Sequence, residues 1–315
     1  MSSISVIVPV NNEEENLQNF YQRTSLVLEK NFSNYEIIFV NDGSVDNSEN
    51  IIAEFCKVNK SIKLINLSRN FGAYNAVRAG TMLAENELTF WIAADLQDPP
   101  EFLVEMNNFI KEGFEVVWGI RKERKDPIIR KFFSNVFYFL LNKVSDTPYP
   151  PKGVDLCLMT SKVRNSFNNL SEKSGFIQSL VMNLGYKQKF IEYDRKKRIK
   201  GLSKWRSYRK LYDMASEMLI TSSRFPFNQL LYFGTLGIPI ISIKLIYSVF
   251  QQSGSTQIII ELLIFLILFI SFISGWLGLY VYRTLVEVRN RPLYYLNDYI
   301  NLSPEQKTKL SEKDG

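Results

Sequence analysis

The chain has 315 residues, with 38 lysines and arginines against 32 aspartates and glutamates, and a net charge of +6. It holds no histidine and two cysteines, Cys56 and Cys157, too far apart for a zinc or redox spacing. Histidine metal sites, imidazole acid–base chemistry and a disulfide scaffold are thereby excluded, and buried, reduced thiols are the expected state.

In chain order, strand and helix signals alternate over the first 120 residues. Ile4 to Val10 is a short apolar run followed by a helical pattern from Glu13 to Lys30. The run lacks a basic leader and continues into globular sequence, so no signal peptide is expected. Tyr35 to Val40 is a second strand, ending at Asn41-Asp42-Gly43-Ser44, whose turn and capping residues open a helix from Val45 to Val58. Ile62 to Leu67, Leu88 to Ala94 and Phe114 to Ile120 are further strands, separated by helices over Ala73 to Ala84 and Pro100 to Lys111. The spacing predicts an α/β fold with a mostly parallel sheet covered on both faces, whose ligands bind beyond the carboxyl ends of the strands. Pro127 to Val144 has an apolar face at helical spacing, which suits either a core-facing helix or one resting on a membrane surface. Val154 to Met159 reads as another strand, and Lys204 to Arg224 as another amphipathic helix. No internal repeat is present.

Two long apolar stretches follow, Phe227 to Phe250 with one charge, Lys244, and Ile258 to Tyr282 with one, Glu261. Each exceeds the roughly 20 residues a helix needs to cross a bilayer; the competing reading is a buried hairpin of core helices. Arg195, Arg198, Lys204, Arg206 and Arg224 precede the first stretch and Arg283, Arg289 and Arg291 follow the second, while the connector Gln251 to Gln257 is uncharged. The positive-inside rule then places both chain ends in the cytosol and the short connector outside. The positive charge concentrates where it can attract anionic headgroups, so no nucleic-acid partner is expected. Four units result: a cytosolic catalytic α/β domain over residues 1–203, a juxtamembrane amphipathic helix over 204–226, a two-helix transmembrane hairpin over 227–283, and a polar cytosolic tail over 284–315 whose last residues, Leu302 to Gly315, are expected to be disordered. Gly234, Gly237, Gly275 and Gly278 leave room for close helix packing in a homo-oligomer.

The chemistry gathers at strand ends. Trp91-Ile92-Ala93-Ala94 gives way to Asp95-Leu96-Gln97-Asp98, and Pro99-Pro100 forces a turn into the next helix. Asp95 and Gln97 offer oxygen ligands for a hard cation, Mg²⁺ or Mn²⁺, lying across a diphosphate, where it would neutralise charge on a leaving nucleotide. Asp42 can accept a hydrogen bond from a pyrimidine NH, and Pro9, Asn11 and Glu13 can wall the base and ribose. Taken singly, each is also an ordinary turn residue.

Together Ser5 to Glu14, Asn41-Asp42-Gly43-Ser44, Leu67-Ser68-Arg69-Asn70-Phe71-Gly72 and Asp95 to Pro100 resemble family 2 inverting glycosyltransferases of the GT-A fold. The chain is most similar to the branch of dolichyl-phosphate mannose synthase and the bacterial polyprenyl-phosphate glycosyltransferases. Gly119-Ile120-Arg121-Lys122, Gly153-Val154-Asp155, Gly201-Leu202-Ser203-Lys204-Trp205 and Asn290-Arg291-Pro292-Leu293-Tyr294 agree. The resemblance implies a nucleotide-sugar donor, usually UDP-linked in bacteria, and a polyprenyl phosphate acceptor whose oxygen attacks the anomeric carbon with inversion. It implies donor-nucleotide contacts at Pro9, Asn11, Glu13, Asp42, Ala94 and Arg121 and a metal on Asp95 and Gln97. It also implies a catalytic carboxylate at Asp155 beside Asp95, and acceptor-phosphate contacts at Arg195, Arg198 and Lys204, although a basic run of this kind also forms a plain membrane-facing surface.

Two positions depart from the family pattern. Ala93 stands where an Asp-X-Asp metal motif has its first carboxylate, and Asn11 where a tyrosine is common. Ala93 keeps open a catalytically impaired nucleotide-binding scaffold as one alternative, and an aminoarabinose-type lipid-phosphate transferase is another. Which sugar moves, and which cell-envelope glycan it serves, requires the shape of the pocket.

Overall fold

The computed structural model describes residues 1–122, 139, 142–143, 149–150, 154–172, 176–195, 255–289 and 291–314. The amphipathic segment 204–226, the first apolar stretch, Arg198 and Lys204 lie outside the described residues, as does nearly all of Pro127 to Val144. Among the described residues eight strands are present: β1 (Ser3–Val10), β2 (Asn34–Asn41), β3 (Ile62–Leu67), β4 (Leu88–Trp91), β5 (Val116–Arg121), β6 (Val154–Thr160), β7 (Gln188–Tyr193) and β8 (Leu296–Ile300). The described helices are α1 (Glu14–Asn31), α2 (Ser48–Val58), α3 (Ala73–Leu83), α4 (Phe102–Lys111), α5 (Ser161–Asn168), α6 (Ile177–Asn183), α7 (Ser255–Val288) and α8 (Pro304–Asp314).

The strands form one sheet in the order β7-β5-β6-β4-β1-β2-β3-β8. β4, β1, β2 and β3 run parallel, as do β5 and β7. β6 is inserted antiparallel between β4 and β5, and this reversal matters for the site. The start of β6, at Asp155, lies at the same sheet edge as the carboxyl ends of β1, β2, β4, β5 and β7. Trp91 pairs with Cys157 and Arg121 with Tyr193, which brings the ends of β4, β5 and β7 level with that start.

Alternation along β1 sorts the core into two layers, as period-two side chains require. Ile4, Val6, Val8 and Val10 face the layer packed by α1, α2 and α4, and Ile7 faces the layer of α3, α5 and α6. α3 approaches β1 closely because position 80 is Gly: a Cβ there would lie 2.5 Å from Ile7 Cγ2 and 3.0 Å from Val40 Cγ2. β4 ends at Trp91, three residues before the expected Ala94, although the Ile92 amide still donates to the Ile7 carbonyl at 3.2 Å. The shortening frees Ala93 and Ala94 to enter the turn that carries Asp95.

The carboxyl end departs from expectation. Instead of a disordered tail, residues 296–300 form β8, antiparallel to β3, and 304–314 form α8. The polar composition hid this because α8 docks through one buried amide and one leucine, Leu310. Gln306 is fully buried, accepting from Lys63 Nζ at 2.8 Å and donating to the Leu83 carbonyl at 2.6 Å. Lys63 is in turn paired with Glu36 at 2.5 Å. Residues 296–300 therefore belong to the same sheet as the strands before residue 195, and 304–314 pack beside it.

α7 is 34 residues long, about 51 Å at 1.5 Å per residue. Its side chains at Ile259, Ile260, Leu263, Ile267, Ile270, Val281 and Tyr282 are exposed, Ile267 and Val281 at 62% each. Among the described residues no helix is long and apolar enough to cross a membrane; the stretch Ile258 to Tyr282 includes α7 positions whose side chains fall outside that set. Gly275 and Gly278 have nothing within 4 Å of an added Cβ.

Candidate active site

The loops after β1 and β2 are laced into one wall. Asn11 Nδ2 donates to the Asp42 carbonyl at 2.7 Å, the Asn12 amide to Ser44 Oγ at 3.0 Å, and the Val45 amide to Asn12 Oδ1 at 2.8 Å. The Glu13 amide donates to Ser48 Oγ at 3.0 Å, while its carboxylate accepts from Asn16 Nδ2 at 2.8 Å. Gly43 adopts φ +63°, and a Cβ at this position would lie 2.6 Å from the Asn70 nitrogen. Only glycine takes both the conformation and the approach without strain.

Asp42 is 2% exposed. Its two oxygens accept from the amides of Phe71, at 2.6 Å, and Gly72, at 2.9 Å, at the amino end of α3. A carboxylate suits that position because helix amino termini present unpaired N–H groups and a positive dipole end. Asp42 thus fastens the Arg69-Asn70-Phe71-Gly72 loop to the nucleotide wall. Arg69 lies 4.2 Å above the Phe71 ring.

Asp95 and Gln97 occupy a tight turn in which the Gln97 amide donates to Asp95 Oδ1 at 3.2 Å across Leu96, whose φ is +57°. A leucine in the left-handed region is uncommon and costs roughly 1–3 kcal/mol, and such strain concentrates at functional turns. Asp95 and Gln97 are half-buried, Pro9 and Asn11 likewise, and Ala94 is buried beneath them. Among the described residues no three acidic or sulfur side chains cluster as a metal cage. One carboxylate and one amide oxygen suit a hard cation that keeps water and takes its remaining ligands from a diphosphate.

The other half of the edge is a charged cluster. Arg121, closing β5, holds Asp155 in a two-pronged ion pair, Nε to Oδ2 and Nη2 to Oδ1, the latter at 2.6 Å. Arg195, two residues past β7, lies 3.7 Å from Asp155 Oδ1 and 3.0 Å from Asp98 Oδ1. Tyr193 Oη donates to Asp98 Oδ1 at 2.5 Å and lies 3.4 Å from Asp155 Oδ2. Burial pushes the Asp155 carboxyl up, but the bonded Arg121 and then Arg195 outweigh it and hold it below its ordinary range. For Asp98 burial prevails: its carboxyl is pushed up to about 6 against the Arg195 charge, with Asp155 adding to the rise. Burial and the neighbouring carboxylates raise Tyr193 well above the usual phenol, and Asp155 holds Arg121 charged despite burial.

The structure therefore brings Asp95, Gln97, Arg121, Asp155 and Arg195 to one edge, with Pro9, Asn11, Glu13 and Asp42 along the same edge past β1. Sequence reasoning missed Asp98 and Tyr193 as members. Asp98 is in the quoted motif, three residues after Asp95, but its partner Tyr193 is 95 positions away, and no local pattern announces that pairing.

A strand-end wall, a carboxylate turn and an arginine–carboxylate cluster share one edge of a mostly parallel sheet, and the chain belongs to glycosyl transferase family 2, whose profile matches residues 5–162. It is 37% identical over 299 residues to the uncharacterised glycosyltransferase YkcC of Bacillus subtilis, covering 92% of each chain. It is 30% identical to the SfII prophage-derived bactoprenol glucosyl transferase of Shigella flexneri, covering 93% of this chain and 97% of that one. It is 27% identical to the undecaprenyl-phosphate 4-deoxy-4-formamido-L-arabinose transferase of Serratia proteamaculans, covering 99% and 98%. The protein is a glycosyltransferase.

Proposed function

We propose that the protein transfers a hexose or N-acetylhexosamine from a UDP-linked donor to undecaprenyl phosphate at the cytosolic membrane face, with inversion. The observation that carries this reading is the pair of guanidinium groups, Arg121 and Arg195, flanking Asp155 on the edge that also holds Asp95. Two cations beside a carboxylate turn suit a reaction with a phosphate on each side of the anomeric carbon. The relative named as a bactoprenol glucosyl transferase supports the lipid phosphate as acceptor.

In this reading the acceptor oxygen forms the new bond to the anomeric carbon as the bond to UDP breaks, and UDP leaves from the opposite face. Asp42 and the Asn11–Glu13 wall orient the nucleotide, and Arg121 neutralises charge on the departing diphosphate. A Mg²⁺ or Mn²⁺ on Asp95 and Gln97 would supply further neutralisation when bound. A phosphate monoester has its second pKa near 6, so the acceptor is ionised without help. Asp155, held below its ordinary range, is a poor proton acceptor and a good orienting anion. Arg195, with Arg198 and Lys204, receives the lipid phosphate.

We read α7 as crossing the bilayer, with the preceding apolar stretch as its partner and both termini in the cytosol. The open apolar side chains of α7 support this, since a lipid surface removes the cost of exposing them to water.

The test is to incubate purified full-length protein with labelled UDP-sugars and undecaprenyl phosphate. A glycolipid extractable into organic solvent is expected, and Asp95→Ala is expected to lower turnover at least 100-fold. No product with any common donor overturns the reading, and UDP binding without transfer would instead mark a scaffold. The likeness to the formamido-arabinose transferase favours a second donor class, so the screen includes a UDP-linked 4-amino-4-deoxy pentose.

A further inference from the structure

Asp98 is a carboxylate with 2% exposure, and it caps no helix and closes no turn. Its partners come from the far end of the sheet: Tyr193 Oη at 2.5 Å, and Arg195 with Nε at 3.0 Å and Nη2 at 3.4 Å. The ring of Tyr193 is itself fixed against Phe102 of α4, with centroids 5.2 Å apart. Asp98 follows Asp95 by three residues along the same turn. It therefore ties the turn proposed to face the donor diphosphate to the guanidinium proposed to face the acceptor.

The Arg195 contacts are uneven. Nη1 reaches toward Asp155 at 3.7 Å, while Nε is buried and, although 3.0 Å from Asp98 Oδ1, is not aligned for a hydrogen bond. Nη2 does donate to Asp98 Oδ2, but at 3.4 Å, so charge more than a well-directed hydrogen bond holds the group. A long arginine side chain without such a hold samples many rotamers, a freedom that binding an anion would have to overcome. A carboxylate on one side and a second carboxylate ahead remove most of that freedom in advance.

We propose that Asp98 is the positioning residue for Arg195, presetting its guanidinium for the acceptor phosphate at a fixed distance from the Asp95 turn. The proposal rests on the reading of Arg195 as an acceptor contact. Asp98 touches neither substrate; it acts through Arg195, with Tyr193 as the brace that keeps its carboxylate in place.

The experiment measures initial rates against undecaprenyl phosphate, and UDP affinity by calorimetry, for the wild-type protein, Asp98→Asn, Arg195→Gln and the double variant. Asparagine preserves size and an acceptor for Tyr193 but removes the charge that holds Arg195. Asp98→Asn is expected to raise the acceptor KM at least tenfold and leave UDP affinity within twofold. Added to Arg195→Gln, it is expected to cost less than a further twofold, because the residue it positions is gone. A wild-type acceptor KM, an equal loss of UDP affinity, or multiplicative losses in the double variant overturn the proposal. If Asp98→Asn does not fold, Arg195→Lys replaces it: the charge is kept but the fork is lost, so a raised acceptor KM with unchanged UDP affinity is expected, and an unchanged KM overturns the proposal. Failure of the wild-type protein to glycosylate any lipid phosphate overturns the functional reading and this proposal with it, and is distinct from a kinetic defect confined to the variants.

Discussion

Asp42 and Asp98 are equally buried carboxylates, and their surroundings give them opposite duties. Asp42 accepts from two backbone amides at a helix start, so its charge is balanced by dipoles and its position follows that of the Phe71–Gly72 loop. Asp98 faces a guanidinium and a phenol, so its position is set by side chains that can move. Gly43 holds the Asp42 turn together, and Gly43→Ala is expected to destabilise the protein by about 1–3 kcal/mol and to weaken UDP binding at least tenfold by calorimetry; unchanged affinity would separate this turn from the nucleotide site. The thiols lie outside the chemistry. Burial pushes Cys56 up to about 12, with Lys60 opposing, and raises Cys157 well above the ordinary thiol. Neither is expected to react with an aromatic disulfide reagent within minutes in the folded protein, both reacting once denaturant is added. The placement of Asp42 and Asp95 at strand ends was legible in the sequence because strand ends announce themselves by a change from apolar to polar residues. That of Asp98 was not, since a buried carboxylate looks like any turn residue until its distant partner is placed beside it.

Among the elements, the first five strands and four helices fall within a few residues of the positions read from apolar spacing, because each pairs or packs against a neighbour close in sequence. β6 was legible as a strand but not in direction: an apolar run reads the same either way, and its reversal depends on what lies on both sides. β8 and α8 were missed for a different reason. α8 buries Gln306 beside Lys63 and Glu36 and adds the single leucine Leu310 to the core, so its sequence shows no hydrophobic stripe. Gln306→Ala is expected to lower stability by about 1–3 kcal/mol, since it strips partners from a buried lysine and carboxylate; thermal unfolding of the detergent-solubilised protein reads this, and an unchanged Tm would show that the amide is dispensable. Gly80→Ala is expected to cost a comparable amount by pushing α3 off Ile7 and Val40.

For the whole molecule, the pairing of β8 with β3 constrains topology independently of charge. Residues on both sides of the segment 196–295 belong to one sheet, so the chain must return to the side it left and the number of crossings between them is even. If α7 crosses once, the stretch before it crosses an odd number of times, in agreement with the pattern of arginines and lysines. The buried native thiols provide a silent background for testing this. Ser253→Cys, in the uncharged connector, is expected to be labelled in intact cells by a membrane-impermeant maleimide, while a cysteine added after Gly315 is labelled only after permeabilisation. Labelling of both or neither in intact cells would contradict two crossings.

The same pairing sets the order in which the protein can be made. When the ribosome has released residues 1–195, β3 is still an open edge and the Glu36–Lys63 pair lacks the Gln306 amide. The finishing strand emerges only after the apolar helix α7 has been synthesised. A chain that stops short of β8 thus keeps an unpaired strand edge, the feature that invites aggregation and proteolysis. Completion of the sheet therefore waits on synthesis of the long apolar helix that precedes its last strand.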